Sequence, residues 1–430
     1  MKIALIHNKC IEAEGAGSTQ TATQLVDELV GSGHDVTVYC ASVPSTLNRN
    51  NGVEIVDLGI PADNTLIPDQ RYARIVDAIR DRAHEFDDYD VVHSYTLAIA
   101  GLADVARETS TATVVTLNGY RPLCPKKDLY FMDSEPCREN GGVRCSRCIV
   151  NSLFTDRNSS VYGGASLFDT YDGILRLPAS AYVLAGRFRI LRSVLNMREA
   201  ADQITLYHVQ ANHIRDIYGK FNFPDEKIRV VPNILDEQFL VPHTSGFTEP
   251  YRLLYVGTLS EKKGSHKLVP TFDLLQAGDI DGFEMTIIGD GHLKPRVERE
   301  ASDRGLNIDV RGHVDYADLP EIYAAHDLFI YPGVWEEPFA RVFLETMATG
   351  TPLVGSQVGD LEAILGEAGV VTDGSPAELA TAIQQIIRDN RLESMSKAGK
   401  QRAEDFRPAA IIPQMEHIYR EAIELDSDLA

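Results

Sequence analysis

The stretch around residue 340 has the pattern of a buried strand, a loop, a short helix and a second buried strand. The apolar residues 328–331 (LFIY) precede the loop, and the apolar pair 353–354 (LV) follows the helix. Pro338 favours the first turn of a helix, and Gly350 followed by Pro352 favours its end. Strands joined through a helix are typical of parallel sheets, so this pattern predicts an α/β fold.

Two glutamates flank the start of this helix, Glu337 in the loop and Glu345 within the helix. A helix N-terminus presents backbone N–H groups and the positive end of the helix dipole, which favours a phosphate. A carboxylate just ahead of it can accept hydrogen bonds from sugar hydroxyls, and one about two turns later can reach a ribose. A solvated helix with surface acids would carry the same two residues. The flanking segments EPF and GTPLV argue against that simpler explanation.

This segment resembles the Glu-x7-Glu signature of the retaining GT-B glycosyltransferases of family four, which usually reads E-G/P-F-G-x-x-x-x-E-A-M-A-x-G-x-P-V-V. The resemblance implies an α/β architecture of two doubly wound, Rossmann-like domains facing each other across a cleft. It also implies a catalytic role for Glu337. The donor is expected to contact Pro338, Phe339, Ala340 and Glu345.

Length and composition agree with a soluble globular protein of two domains. The chain has 430 residues, more than one compact core usually holds, with 44% hydrophobic and 8% aromatic residues. Met1 and Lys2 run directly into a strand-like segment, so we expect no signal peptide. No uncharged apolar run approaches the roughly 18–20 residues that a membrane span requires. The sequence therefore predicts a cytoplasmic protein.

The chain is strongly acidic. Its 41 Lys and Arg residues stand against 63 Asp and Glu residues, which gives a formal net charge of −22. Such a surface repels nucleic acid and anionic lipid, so we expect no nucleic-acid partner and only local anion sites.

Segment 173–198 reverses this charge, because it carries five arginines and no acidic residue. Interleaved with apolar side chains, Arg187, Arg189 and Arg192 are candidates for contact with an anionic acceptor or with the cytoplasmic face of a membrane. A core-packed helix with an arginine-rich solvent face is the alternative.

The first half of the chain contains further segments with the pattern of buried parallel strands. They are residues 3–6, 35–39, 90–94, 113–117, 202–206 and 228–234, with a helix predicted over 16–30. In the family's opening motif Gly17 falls on the second glycine, so the resemblance places it near the donor. Asn118 follows a strand where relatives often carry a histidine that faces the reacting sugar, and we take Asn118 as a candidate catalytic residue. The absence of G-x-G-x-x-G argues against a nicotinamide enzyme.

Four of the six cysteines fall in one loop: Cys124, Cys137, Cys145 and Cys148. The C-x2-C spacing of the last two is that of a metal knuckle, and four thiolates can close a tetrahedral structural zinc site. A reducing cytosol favours metal over a disulfide, and zinc ranks ahead of an iron–sulfur cluster. A loop of reduced thiols is the alternative.

The second half resembles the family's donor-binding motifs. Residues 253–264 (LLYVGTLSEKKG) match V-G-R-L-x-x-x-K-G, in which the arginine and the lysine bind the donor pyrophosphate. Lys263 falls on the lysine and is a candidate catalytic residue, but Thr258 replaces the arginine and removes a charge-assisted contact. Lys262 or Arg341 could substitute for it. The other positions matched to donor binding are Gly257, Gly289, Asp290, Gly291 and Gly312.

These matches predict an N-terminal, acceptor-side domain over residues 1–240, a linker within 241–250 and a nucleotide-sugar-binding domain over 250–405. In this family the C-terminal helix, here 409–425, is expected to pack back on the first domain.

The resemblance implies a retaining hexosyltransferase that uses a nucleoside diphosphate sugar and requires no cofactor for catalysis. The acceptor would be a glycan, a lipid-linked glycan or a small molecule. No carboxylate is identifiable as a nucleophile, so the family's front-face attack, with the departing phosphate as base, is implied. Two alternatives stay open: an epimerase of the same architecture, and a nucleotide-sugar-binding subunit without transferase activity, which Asn118 and Thr258 permit.

Overall fold

The structure is a computed structural model that describes residues 1–8, 10, 17–43, 53–60, 70–95, 98–132, 135–137, 142–155, 188, 191–280 and 282–427. The chain forms two compact units. The first comprises Met1–Pro232 and Ile412–Ala430, and the second comprises Asn233–Ile411. Each unit is built on its own parallel sheet.

The first unit contains a seven-stranded parallel sheet and a two-stranded antiparallel hairpin. Its strands are β1 (Lys2–His7), β2 (Asp35–Cys40), β3 (Glu54–Asp57), β4 (Val91–Ser94), β5 (Ala112–Thr116), β6 (Tyr130–Phe131), β7 (Glu135–Pro136), β8 (Leu206–Val209) and β9 (Ile228–Val230). The sheet order is β3-β2-β1-β4-β5-β8-β9, and β6 pairs with β7. The helices are α1 (Gly17–Gly31), α2 (Gln70–Asp81), α3 (Ile99–Glu108), α4 (Gly142–Thr155) and α5 (Asn212–Lys220); residues 191–199 are also helical.

The second unit contains a six-stranded parallel sheet in the order β12-β11-β10-β13-β14-β15. Its strands are β10 (Tyr251–Val256), β11 (Phe283–Ile288), β12 (Ile308–Gly312), β13 (Leu328–Tyr331), β14 (Leu353–Ser356) and β15 (Gly369–Thr372). The helices that follow are α6 (Leu268–Gln276), α7 (Lys294–Asp303), α8 (Leu319–Ala324), α9 (Arg341–Thr349), α10 (Leu361–Leu365), α11 (Pro376–Arg388), α12 (Leu392–Ala403) and α13 (Pro408–Ser427).

In each sheet the direction in which strands are added reverses once. The first three strands of a unit extend the sheet to one side, and the next strand pairs on the other side of the first one. In the first unit this point lies between β1 and β4, and in the second it lies between β10 and β13. Loops leave the carboxyl ends of such neighbouring strands in opposite directions, which opens a crevice where ligands bind in open α/β sheets. The predicted doubly wound α/β fold is therefore confirmed in each unit.

Helix α13 packs on the first unit through polar side chains. The Tyr419 hydroxyl lies 2.8 Å from Nδ1 of His93, which is in β4. Arg229 Nε donates to Oε2 of Glu421 over 2.9 Å. Because α13 from Ile412 onwards follows the second unit in sequence, the first unit is assembled from two separate parts of the chain.

The boundary between the units lies at 232/233, ahead of the linker that the sequence indicates at 241–250. Leu235 N donates to the Phe406 carbonyl over 2.7 Å, and Thr244 N donates to the Ala324 carbonyl over 2.9 Å. These backbone bonds attach residues 233–250 to the second unit, so a polar composition alone does not identify the junction.

One predicted strand is wrong in position. The residue pattern indicates a strand at 202–206, whereas Ala201–Gln203 form a 3-10 turn and β8 begins at Leu206. The true strand contains His208, whose buried side chain interrupts the apolar pattern that predicts strands. None of the helices in the described ranges combines the length and apolarity needed to cross a membrane.

Candidate active site

The two charged residues singled out by the sequence meet at the crevice of the second unit. Lys263 lies in the loop after β10, and Glu337 lies in the loop after β13. The Lys263 ammonium donates a hydrogen bond to Oε2 of Glu337, within an ion pair whose side chains are 26% and 18% exposed. The hydroxyl of Tyr331, at the end of β13, approaches the same oxygen at 3.5 Å. A cation and a carboxylate are thus held together where a ligand of this fold binds.

Gly264 explains why Lys263 reaches this position. Its φ is 70°, in the left-handed region that favours glycine, and it lies directly against the backbone that follows β13. A Cβ at this position would overlap the carbonyl oxygen of Pro332. Glycine therefore lets the loop after β10 contact the loop after β13 closely, and this contact places Lys263 next to Glu337.

The loops after β10, β11 and β12 are layered on one another through backbone hydrogen bonds. Gly257 N donates to the Ile288 carbonyl over 2.9 Å, and Gly289 N donates to the Gly312 carbonyl over 2.7 Å. A Cβ at Gly289 would overlap the carbonyl of Gly257. The predicted donor-binding glycines are thus brought together along one edge of the sheet, beside the Lys263 loop.

Two polar residues of this edge face solvent. Thr258 is exposed, and its carbonyl accepts a hydrogen bond of 3.0 Å from the Tyr255 hydroxyl. Asp290 is also exposed, and its carboxylate accepts from the N–H of Gly291 over 2.8 Å, which closes the turn after β11. In this turn the Asp290 side chain orders the backbone.

Helix α9 begins later than predicted. It starts at Arg341 after Ala340, whose φ of −81° and ψ of 128° are extended. The expectation that Pro338 occupies the first turn is therefore wrong; Pro338, Phe339 and Ala340 are buried and lie ahead of the helix, with a bend at Pro338. The predicted end is confirmed, because Gly350 caps the helix with a φ of 73°. The first N–H groups of a helix have no acceptor within the helix itself; in α9 that of Phe343 donates to the Ala340 carbonyl over 3.2 Å, and this end of the helix follows directly on the Glu337 loop.

Glu345 lies on the buried side of α9 and is only 4% exposed. The Tyr323 hydroxyl donates to its Oε2 over 2.9 Å, and Arg341 Nε lies 3.6 Å from its Oε1. Burial raises the pKa of this carboxyl above its ordinary value, while Arg341 opposes the shift. Arg341 also contacts the hydroxyl of Tyr316 and lies 3.6 Å from the carboxylate of Asp236.

Arg341 therefore lies near two carboxylates of the second unit, those of Asp236 and Glu345. From the sequence, Arg341 is one of the two residues proposed to substitute for the arginine that Thr258 replaces. The only signal of its actual contacts in the sequence is the i, i+4 spacing from Arg341 to Glu345. Lys262, the other substitute considered, has its ammonium 6.0 Å from the centre of the Trp335 ring.

In the first unit Asn118 follows β5 and lies beside the end of β4. Its Nδ2 donates to the Tyr95 carbonyl over 3.4 Å, and the residue is half-buried. Gly17, the other predicted residue of this unit, is the exposed first residue of α1. Arg192 is exposed in the helical residues 191–199, whereas Arg187 and Arg189 lie outside the described residues.

A buried polar chain crosses the sheet of the first unit, and sequence reasoning did not find it. His208 Nε2 lies 2.8 Å from the Val231 carbonyl, so it carries the proton and Nδ1 accepts from the Thr116 hydroxyl over 2.9 Å. Thr116 then accepts from His93 Nε2 over 2.7 Å, and the Tyr419 hydroxyl donates to His93 Nδ1. Every donor finds an acceptor when both imidazoles are neutral.

Burial also keeps these histidines neutral. It lowers the pKa of His93 to about 3, with a further contribution from His208, and lowers the pKa of His208 to about 4. A histidine within a strand, as in Val-Val-His-Ser at 91–94, is the only hint in the sequence. The chain joins α13 to the sheet, which is a structural role.

Four of the six cysteines of the first unit are also brought together. Cys124, Cys137, Cys145 and Cys148 all line one small cavity between the β6–β7 hairpin and α4.

A family model described as a glycosyl transferase 4-like domain matches residues 16–234, just over half of the chain. The chain belongs to this glycosyltransferase family. A second model, glycosyl transferases group 1, matches residues 241–402, so the two together extend over most of the protein. The predicted family is confirmed.

Curated relatives of this glycosyltransferase match the chain over only part of their own length. O-antigen chain mannosyltransferase B of Escherichia coli is 27% identical over 227 residues, which cover 49% of this chain and 59% of the relative. GDP-mannose-dependent alpha-(1-6)-phosphatidylinositol dimannoside mannosyltransferase of Mycobacterium tuberculosis is 32% identical over 157 residues, which cover 36% and 40%. The chain thus spans less than two thirds of the length of these relatives.

Solved structures match the glycosyltransferase over nearly its whole length. HepE of Anabaena, in complex with UDP and glucose, superposes with a TM-score of 0.65 at 18% identity and covers 97% of this chain and 98% of its own. Sucrose-phosphate synthase of Thermosynechococcus elongatus gives a TM-score of 0.68 at 18% identity, with 98% of both chains covered. At this identity the likeness shows the fold, which is the predicted GT-B type.

Proposed function

We propose that the protein transfers a hexosyl group from a nucleoside diphosphate sugar to a hydroxyl group of a glycan, a lipid-linked glycan or a small molecule. The observation that carries this proposal is the Lys263–Glu337 pair, held at the crevice of the second unit next to the N-terminus of α9. A cation and a helix N-terminus suit a diphosphate. A carboxylate beside them suits the hydroxyls of the attached sugar.

In this proposal the leaving diphosphate is stabilised by Lys263 and by the first N–H groups of α9 as negative charge develops on it. Glu337 exchanges its bond to Lys263 for bonds to the donor sugar. In this proposal Glu345 contacts the ribose through lone pairs that Tyr323 and Arg341 leave available, which requires its buried carboxylate to become accessible when the donor binds. These groups supply the positive charge that a metal provides in other transferases, so we propose catalysis without a metal.

The reaction balances without a cofactor. The bond from the anomeric carbon to the diphosphate oxygen breaks, and a bond from the acceptor oxygen to the same carbon forms. The acceptor proton passes to the departing phosphate, and the products are the glycosylated acceptor and a nucleoside diphosphate. Retention of anomeric configuration by attack from the same face is the outcome that the family signature around Glu337 and Glu345 supports.

The relatives indicate which donors to test first. The mycobacterial relative is named as dependent on GDP-mannose, and the Anabaena structure holds UDP and glucose. GDP-mannose, UDP-glucose and their free nucleotides therefore form the starting panel. For the acceptor, the exposed Arg192 and its neighbours in sequence favour an anionic, lipid-linked group with peripheral membrane contact.

The test is turnover with this panel, measured as nucleoside diphosphate release with and without acceptor. Glu337→Gln should reduce kcat strongly while the protein stays folded. Glu336→Gln is the matched control, because the neighbouring Glu336 accepts a hydrogen bond of 2.7 Å from Gly359 N and has no assigned role in transfer. Near-normal turnover in Glu337→Gln would remove Glu337 from the mechanism. Turnover that depends on added Mg²⁺ or Mn²⁺ would contradict metal-free catalysis.

A binding subunit without transferase activity is the second candidate, since Asn118 and Thr258 stand where relatives often carry a histidine and an arginine. The same panel separates the two candidates. Donor binding that raises the melting temperature, without release of nucleoside diphosphate under any condition, would favour the binding subunit.

A further inference from the structure

Four of the six cysteines of the first unit surround a cavity that none of the residues assigned to sugar transfer lines. Cys124 precedes the β6–β7 hairpin, Cys137 follows it, and Cys145 and Cys148 lie one turn apart on α4. All four line a cavity of about 20 Å³. A single ion fits a space that holds about one water molecule, whereas an iron–sulfur cluster needs more room.

The hairpin directs backbone N–H groups at two of the sulfurs. Met132 N donates to Cys148 Sγ over 3.2 Å. The N–H groups of Lys126, Asp128 and Leu129 form hydrogen bonds to Cys124. Backbone donors of this kind commonly orient metal-ligating side chains.

Two cationic side chains line the same cavity. Lys126 is buried, and its Nζ lies 3.1 Å from the Tyr130 carbonyl. The guanidinium of Arg144 lies 4.0 Å from the centre of the Phe131 ring. Lys126 Nζ also lies 3.7 Å from the carboxylate of the buried Asp128. A divalent zinc ion with four thiolates carries a net charge of −2, and positively charged side chains beside it reduce that charge.

We propose that Cys124, Cys137, Cys145 and Cys148 bind one structural zinc ion that fastens the β6–β7 hairpin to α4. Among the described residues no three Cys, His, Asp or Glu side chains already converge as metal ligands. Binding therefore draws the half-buried Cys137 and Cys145 inward, towards the buried Cys124 and Cys148. Each thiol loses its proton to solvent as its sulfur bonds to zinc, and no oxidation is involved.

The site would also fix the loop that carries Asn118. Tyr120, two residues further on, accepts backbone hydrogen bonds from Leu123 N over 3.0 Å and from Cys124 N over 2.8 Å. Cys124 is thus joined to the turn after β5, so metal binding restrains that turn.

The test uses the intact protein and does not depend on transferase activity. Elemental analysis of protein purified without added metal should find close to one zinc per chain. Replacement by Co²⁺ should give the absorption of a tetrahedral cobalt–thiolate centre, and a chelator should lower the melting temperature. Substoichiometric metal together with four titratable thiols would overturn the proposal. So would a disulfide found by mass spectrometry, or iron with labile sulfide.

Paired substitutions keep the test meaningful if one variant folds poorly. Cys145→Ser should lose most of the zinc, whereas Cys145→His should keep it, because histidine is a normal zinc ligand. Cys10→Ser changes a buried cysteine outside the hairpin and should keep full zinc content. Equal zinc loss in Cys145→Ser and Cys145→His would show that packing, not coordination, explains the cysteines.

Discussion

Replacement of Lys263 by alanine tests the proposed donor site most directly. In the structure its ammonium neutralises Glu337, and in the proposal it turns to the donor diphosphate. Lys263→Ala removes one charge-assisted contact and leaves the Glu337 carboxylate facing the diphosphate without a counter-charge. Both effects weaken donor binding, so the variant should bind worse than the loss of a single hydrogen bond implies.

The magnitude follows from these two terms. A hydrogen bond to a charged group contributes about 1.5–3 kcal/mol, which corresponds to about a 10- to 150-fold increase in Kd for the nucleotide. Both side chains of the pair are partly exposed, and solvent screening places the repulsion from Glu337 at about 1 kcal/mol or less. Adding Glu337→Gln to Lys263→Ala should remove that repulsion and recover up to about fivefold of the affinity.

Isothermal titration with UDP and GDP measures these changes. Lys397→Ala is the control, since it removes the same charge from an exposed position of α12, and its affinity should change less than threefold. The variants should unfold at the same urea concentration as the parent, within error. An unchanged Kd for Lys263→Ala, or equal effects of Lys397→Ala and Lys263→Ala, would refute the assignment of Lys263 to the diphosphate.

Three further predictions concern stability. Gly264→Ala should destabilise the second unit by more than Gly305→Ala, because Gly305 shares a left-handed φ but has open space around it. Urea unfolding should show a cost of about 1 kcal/mol for Gly305→Ala and at least about 3 kcal/mol for Gly264→Ala. His93 and His208 both stay neutral in the folded protein while the unfolded chain takes up protons below pH 6.5, so stability should fall as pH drops from 6.5 towards 3. Each histidine should contribute about 2 kcal/mol of that fall between pH 6.5 and 5, and His93→Asn should remove about half of it. Arg341→Met leaves the buried Glu345 without its cation and should lower the free energy of unfolding in urea by about 3 kcal/mol. Adding Glu345→Gln should restore a measurable part of that loss, whereas full additivity of the two substitutions would show that the side chains do not interact.

The sequence predicted the elements and the residues that share an edge of the second sheet. Lys263 and Glu337 are far apart in the chain, yet each follows an apolar strand, and parallel strands bring the residues at their carboxyl ends together. The β-strand pattern and the family signature were therefore enough to place both residues at that edge, but they did not predict the ion pair between them. The start of α9 was not predictable in the same way, because the fixed φ of Pro338 suits a first helical turn and also the non-helical residues that are observed ahead of α9.

Contacts between side chains that are far apart in the chain could not be predicted from the sequence. Nothing in the residues around His93 identifies Tyr419 as its partner, because the pairing depends on where α13 comes to lie. Likewise, the contact of Arg341 with Asp236 depends on how the residues ahead of β10 pack on α9. Polar networks of this kind are set by three-dimensional neighbours, whereas strands and helices are set by local periodicity.

The return of α13 to the first unit has a consequence for protein synthesis. A ribosome delivers residues 1–232 first, but the helix that completes their unit emerges only after residue 411 has been made. Until then Tyr419 is not available to hydrogen-bond to His93. The nascent first unit therefore stays incomplete while the second unit can already fold. An excised fragment ending at 232 should accordingly need α13 supplied as a fused or separate peptide, whereas a fragment spanning 233–411 is one unbroken piece.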